Sequence, residues 1–175
     1  MKKHDNWILI VFILTFILSI IFSAISNVMA ATFNEVVLFI ILILTISFGI
    51  LFDVIGTGVI SANEASFHAL NSRKIKGAKQ GLFLIKNSSR ISSVCNDIVG
   101  DVCGIISGAL GAMISISLST RFNISNTVIA ILVSAFISSM TVGGKAIFKK
   151  VALTKADSIT LRVSKILSGF GIGGR

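Results

Sequence analysis

Asp53, Thr57, Ser61, Asn63 and Glu64 fall within twelve residues, where a long apolar run breaks up around Gly56 and Gly58. Asn96, Asp97 and Asp101 repeat the theme in the next apolar run. Asp53, Glu64, Asp97 and Asp101 are four of only seven acidic residues in the chain. Carboxylate, amide and hydroxyl oxygens are the ligands that hard cations such as Mg2+ take. Lipid opposes such groups: a charge at the bilayer centre costs roughly 2.5–3.5 kcal/mol on insertion scales. Loosened backbone at that depth survives only where protein buries it or it lines a wet cavity. Two readings stay open. The 53–67 stretch is one wall of a cation site, with Asn96, Asp97 and Asp101 on the other wall. Or it is a helix end at the interface, with Ser61 and Asn63 capping the helix that follows. For the acids the plain alternative is the headgroup region, beside Lys or Arg. That alternative fits Asp101 least, because Asp101 lies about ten residues into its span. Asp97 and Asp101 are four apart, so one helix face carries both.

Other chemistries find no support. No nucleophile–base pair stands out for a hydrolase, and no glycine-rich nucleotide site accompanies the acids, so the chain is not expected to be an enzyme. His4 and His68 are isolated, which excludes a zinc-type cluster. Cys95 and Cys103 are eight residues apart, about 12 Å along a helix and too far for a bridge, so they read as small packing residues. No nucleic-acid-binding motif is present.

The elements that must position these residues are membrane helices. Hydrophobic residues make up 54% of the 175 residues and charged ones 13%, about half the soluble average. There is no proline. Trp7–Ala30 is long enough to span a hydrocarbon core of roughly 30 Å. It is either a retained first helix or a signal peptide, since Val28-Met29-Ala30 resembles a cleavage site. Further spans are predicted at Val36–Ile60, Ile91–Ser119 and Thr127–Phe148. Between the second and third, Ser61–Arg90 carries six Lys/Arg with apolar residues three to five apart. That pattern predicts an amphipathic helix or helix pair on the interface, broken at Gly77 or Gly81. The tail from Lys149 is basic and amphipathic, and its end, 168–175, reads as loose. Fifteen of the sixteen basic residues fall on one side of this layout, with Arg121 alone on the other. The bias predicts a multi-pass protein of the cell membrane with both termini cytoplasmic. The net charge of +9 thus reflects topology and anionic lipid, not nucleic acid. Gly100, Gly104 and Gly108 recur every four residues and offer a face for close helix approach, in the bundle or between two subunits.

Several motifs together resemble a family. Ile60-Ser61-Ala62-Asn63-Glu64-Ala65-Ser66-Phe67 is similar to the Phe-Ser-Gly-Ser-Glu-Thr-Ala-Leu signature of the CNNM/CorC magnesium transporters' transmembrane domain. Leu70-Asn71-Ser72-Arg73 is similar to the Leu-Asn-Arg that follows it. Val99-Gly100-Asp101-Val102 resembles the Ile-Gly-Asn-Thr/Leu of the next span. Lys149-Lys150-Val151-Ala152 through Leu161-Arg162-Val163 is similar to the stretch after the family's Gly-Glu-x-x-Pro-Lys. The likeness covers about 36–167.

The resemblance implies an all-α fold. A three-helix core, N-out and C-in, carries an amphipathic juxtamembrane helical belt, and the extra N-terminal helix makes four transmembrane helices. Residues 1–35 would then be the first helix and outside loop, 36–167 the CNNM-like domain and 168–175 the tail. It implies a homodimer that binds or transports divalent cations, Mg2+ first. By match Ser61, Asn63 and Asp101 are the metal ligands, with Glu64, Asn96 and Asp97 as secondary candidates. The chain departs from the family in three ways. Lys145 stands where the family has Glu, and Phe148 where it has Pro. The stretch between the kink and the next span is short. The CBS pair and the terminal domain have no counterpart here. A lysine there opposes a dication or neutralises a carboxylate. The same fold could therefore serve as a non-transporting scaffold or regulator with a degenerate ion site. Asp101 is expected to be buried near Ser61 and Asn63, with a cation or Lys145 as its partner.

Overall fold

The computed structural model describes residues 2–169; most of the tail read as loose, from residue 170 on, lies outside them. Among the described residues the chain is all-helical. The order is α1 (Lys2–Thr32), α2 (Glu35–Ser61), α3 (Glu64–Ser72), α4 (Ala78–Lys86), α5 (Ser88–Ser93), a π-helical turn (Val94–Val99), α6 (Gly100–Phe122), α7 (Asn126–Thr154) and α8 (Ala156–Gly169). Three stretches are long and apolar enough to cross a membrane: Glu35–Ser61, Ser88–Phe122 and Asn126–Thr154. In α1 the apolar stretch among the described residues is shorter, Thr15–Met29.

Contacts gather the chain into two compact units. Met1–Gly49 with Asp101–Val142 form one, and Ile50–Gly100 with Gly143–Arg175 the other. In the first unit, α2 buries Leu38, Leu42 and Ile46 at intervals of four, which places them on one stripe. α6 buries Cys103, Ser107, Leu110 and Ile114 at intervals of three and four, again one helical stripe. At the start of α2, Glu35 pairs with Arg121 and accepts a hydrogen bond from the Ser117 hydroxyl at 3.3 Å. The Phe39 and Phe136 rings stack at 5.8 Å between centroids, joining α2 to α7.

The second unit explains the two glycines of α2. Residues 56–59 are all buried, so the helix is enclosed there on more than one side. A Cβ at Gly56 would lie 3.0 Å from Cys95 Cβ and from Asn96 Cγ. One at Gly58 would lie 3.1 Å from Ile159 Cγ2 of α8. Residues two apart point about 200° from each other, so each glycine admits a different neighbour. The expected interfacial stretch is a helix pair, α3 and α4. The break falls at Gly77, whose φ of +90° suits glycine alone; Gly81 stays helical inside α4. α8 packs on α4 through Thr160 and Ser164, which are fully buried. Backbone hydrogen bonds from Lys155 N–H to Val151 O and from Ile159 N–H to Lys155 O, both 2.9 Å, carry α7 almost directly into α8.

Candidate functional site

The polar cluster of the second unit is built by three segments. On α2, Asp53, Gly56 and Thr57 share one face by helical spacing. The third apolar stretch contributes Ser92, Asn96 and Gly100, and α7 contributes Lys145. Lys145 Nζ lies 3.4 Å from Asp53 Oδ1; the carboxylate side chain is 17% exposed and the lysine 35%. A Cβ on Gly100 would sit 3.6 Å from the same Nζ, so the ammonium fills the space that Gly100 leaves. Four residues earlier, Asn96 donates from Nδ2 to Ser92 Oγ at 3.2 Å. Its Oδ1 is buried against the Gly56 backbone and accepts no hydrogen bond from any described residue. Thr57, one turn on from Asp53, is buried.

Asn96 belongs to the π-helical turn. A π-turn closes its hydrogen bonds over five residues instead of four, which widens the helix locally, and such turns occur often at functional sites. Here it stands where the small residues of α2 allow the closest approach. The result is a carboxylate, a buried hydroxyl and a buried unpaired amide oxygen on adjoining helices, with an ammonium held at the carboxylate. Such a set can hold a small cation; it contains no activated nucleophile.

The residues singled out in the sequence are placed as follows. Asn63 is a cap: its Oδ1 accepts from Ala65 N–H at 2.9 Å, and its own N–H donates to Asp157 Oδ1 at 2.8 Å. The capping reading therefore holds for Asn63. Ser61 ends α2 and is exposed. Glu64 is exposed beside His68, with 3.4 Å between Oε1 and Nε2. Asp97 is exposed. Asp101, expected to be buried, is exposed as well. The reason is helical phase: Asp101 stands two residues, about 200°, from the buried Cys103. Nor does Lys145 partner Asp101; its carboxylate is Asp53. Ser61 and Asn63 belong to the second unit and Asp101 to the first. Among the described residues no three His, Cys, Asp or Glu side chains form a metal-holding group. Cys95 and Cys103 are both buried and form no disulfide, as expected.

Sequence reasoning named Asp53 and Lys145 but did not pair them. One signal was present: Asp53 stands eight residues before the end of α2 and Lys145 nine before the end of α7, within one residue of the same depth. Nothing in the residue order announced the Asn96 contact at Gly56. No family model, curated protein or solved structure matches the chain.

Proposed function

We propose that this chain is an integral membrane protein of the CNNM/CorC type that binds and moves divalent cations, Mg2+ first. In this reading α1 is a fourth span, both termini are cytoplasmic, and α3, α4 and α8 form a belt on the interface. The protein works as a homodimer. The observation that carries the proposal is the oxygen set of half-buried Asp53, buried Thr57 and the buried, unpaired Asn96 amide oxygen. Unsatisfied amide oxygens are costly at membrane depth and mark a place for a ligand or its water. Lys145 acts as a tethered counter-cation. An entering cation takes its place at Asp53, and the ammonium returns when the ion leaves. Ser61, Asn63 and Asp101, which the family resemblance marks, form the competing ligand set.

A second reading has its own support. Lys145 already neutralises Asp53, so the same fold would serve as a non-transporting scaffold or regulator with a closed ion site. Magnesium-dependent growth rescue separates the two. The cation reading expects rescue by the wild type, its loss in Asp53→Asn and Asn96→Ala, and its retention in Lys145→Gln. Loss in Asp101→Ala with retention in Asp53→Asn would move the site to the competing set. Absence of rescue from an inserted wild-type protein, with no Mg2+-dependent change in thermal stability, would leave the regulator.

A further inference from the structure

We propose that the turn between α3 and α4, together with the last part of α8, is a docking surface for the headgroups of anionic phospholipids. The inference goes beyond cation handling and stands whether or not an ion is moved.

Arg73, Lys74 and Lys76 lie on the turn, Lys165 lies on α8, and all four are exposed. Backbone packing holds them together. A Cβ at Gly77 would lie 2.9 Å from Lys165 N and 3.0 Å from Lys165 Cγ, so the turn closes directly over the lysine stem. Lys74 itself adopts a left-handed backbone conformation, φ 55°, to make that turn. Among the described residues no carboxylate lies within salt-bridge distance of these four; the ion pairs there involve His68, Arg121 and Lys145. Four like charges gathered from segments about ninety residues apart repel one another unless an anion joins them.

The chemistry of that anion follows from what lies between the charges. Ile75, 40% exposed, separates Lys74 from Lys76, and Ile166, 63% exposed, follows Lys165. Alternating cations and bare aliphatic groups suit the boundary between phosphate headgroups and acyl chains. A nucleic acid has no apolar layer to receive the isoleucines. The surface is also tied to two candidate membrane helices: α3 begins three residues after α2 ends, and α8 continues from α7 with one residue between. The patch is thus held near the plane where headgroups lie. The occupant that fits is the phosphate of an anionic glycerophospholipid such as phosphatidylglycerol.

The test uses the full chain, delipidated in a neutral detergent and titrated with phosphatidylglycerol or phosphatidylcholine, with bound lipid read by native mass spectrometry. Phosphatidylglycerol is expected to bind at least about tenfold more tightly than phosphatidylcholine. Each cation removed should weaken it about fivefold, so Lys74→Gln, Lys76→Gln and Lys165→Gln combined should lose roughly a hundredfold. The same three positions changed to Arg should keep the affinity, and Lys86→Gln, at the far end of α4, should not alter it. The Arg set and the wild-type lipid comparison remain informative if the Gln set fails to fold. Equal binding of the two lipids, or full retention in a folded Gln set, would overturn the proposal. So would displacement of the lipid by millimolar inorganic phosphate, or tight binding of an oligonucleotide that the same Gln set abolishes.

Discussion

A lysine and an aspartate paired 3.4 Å apart on apolar helices depend on each other, and neither is easily changed alone. Asp53→Asn leaves the Lys145 ammonium without its carboxylate, and Lys145→Met leaves the carboxylate without its ammonium. Breaking a fully buried pair costs about 3–5 kcal/mol; with Lys145 partly exposed, each single change is expected to cost on the order of 2–3 kcal/mol. The double variant should recover most of that loss, because no uncompensated charge remains. Thermal unfolding in detergent reads all three, and additive single effects would contradict the pairing. Gly56 makes a second residue-scale case. A methyl group there collides with the Asn96 amide, and such overpacking costs about 1–3 kcal/mol. Gly56→Ala should therefore destabilise the wild type and cost less in an Asn96→Ala background, where the 3.0 Å approach to Cys95 Cβ remains. The sequence exposed the ingredients of this site and hid their arrangement. Hydropathy flags any acid within an apolar run, so Asp53, Asp97 and Asp101 all stood out. Which of them turns inward depends on helical phase, and the turn at Val94–Val99 departs from the α-helical period on which such counting rests. Asn63 was legible for the opposite reason. A cap is a local arrangement, decided by the residues next to it.

At the scale of elements, hydropathy located α2 to within one residue at each end and the third apolar stretch to within a turn, while α7 begins where expected but runs six residues past Phe148. The ends of α2 follow from polar residues: Asn34, whose Oδ1 accepts from Val37 N–H at 3.1 Å, and Asn63, which caps the helix that follows. The packing of α8 on α4 was not legible, because it depends on what is absent from a helix face. Ala152, Ala156, Thr160 and Ser164 are all buried at intervals of four, a stripe with few large side chains. Facing it, α4 buries Ala78 and Gly81, and a Cβ on Gly81 would meet the Phe67 ring and lie 3.1 Å from Ser164 Oγ. Close approach has a cost at Thr160, whose Oγ1 is buried with no hydrogen-bond partner among the described residues. An unmet buried hydroxyl costs about 1–3 kcal/mol by mutational measure. Valine has nearly the same shape and no such group. Thr160→Val is thus expected to leave stability unchanged or raise it by about 1 kcal/mol. Thr160→Ser keeps the hydroxyl, loses a methyl and should lower it. A clear loss in the valine variant would show that the hydroxyl has a partner.

At the scale of the whole molecule the question is what covers α7. It has the length and composition to cross a membrane, yet from Asn126 to Val151 none of its residues is buried within one chain. In the first unit an open groove of about 780 Å3 runs between α6 and α7, lined by small residues such as Gly104, Gly108, Ala112, Ala130, Ser134 and Ser138. Small residues let helices approach closely in lipid, where packing and interhelical hydrogen bonds drive association in place of the hydrophobic effect. We expect a second copy to occupy this groove, since symmetric pairs are the commonest assembly. The glycines allow a sharp test. Apart from their own helix turn, no described residue lies within 4 Å of a Cβ at Gly104 or Gly108. Gly104→Leu therefore has open space at its Cβ within a single chain, and it removes a poor helix former, a change worth about 0.8–1 kcal/mol in an exposed helix. Within one copy it should be neutral or stabilising. Between two copies a leucine at the point of closest approach prevents contact. The expected result is a wild-type dimer in mild detergent and a Gly104→Leu monomer of equal or higher thermal stability, read by light scattering and unfolding of the same samples. An unchanged dimer would place the contact elsewhere on the molecule. A destabilised monomer would mean that the groove closes on its own chain in the membrane.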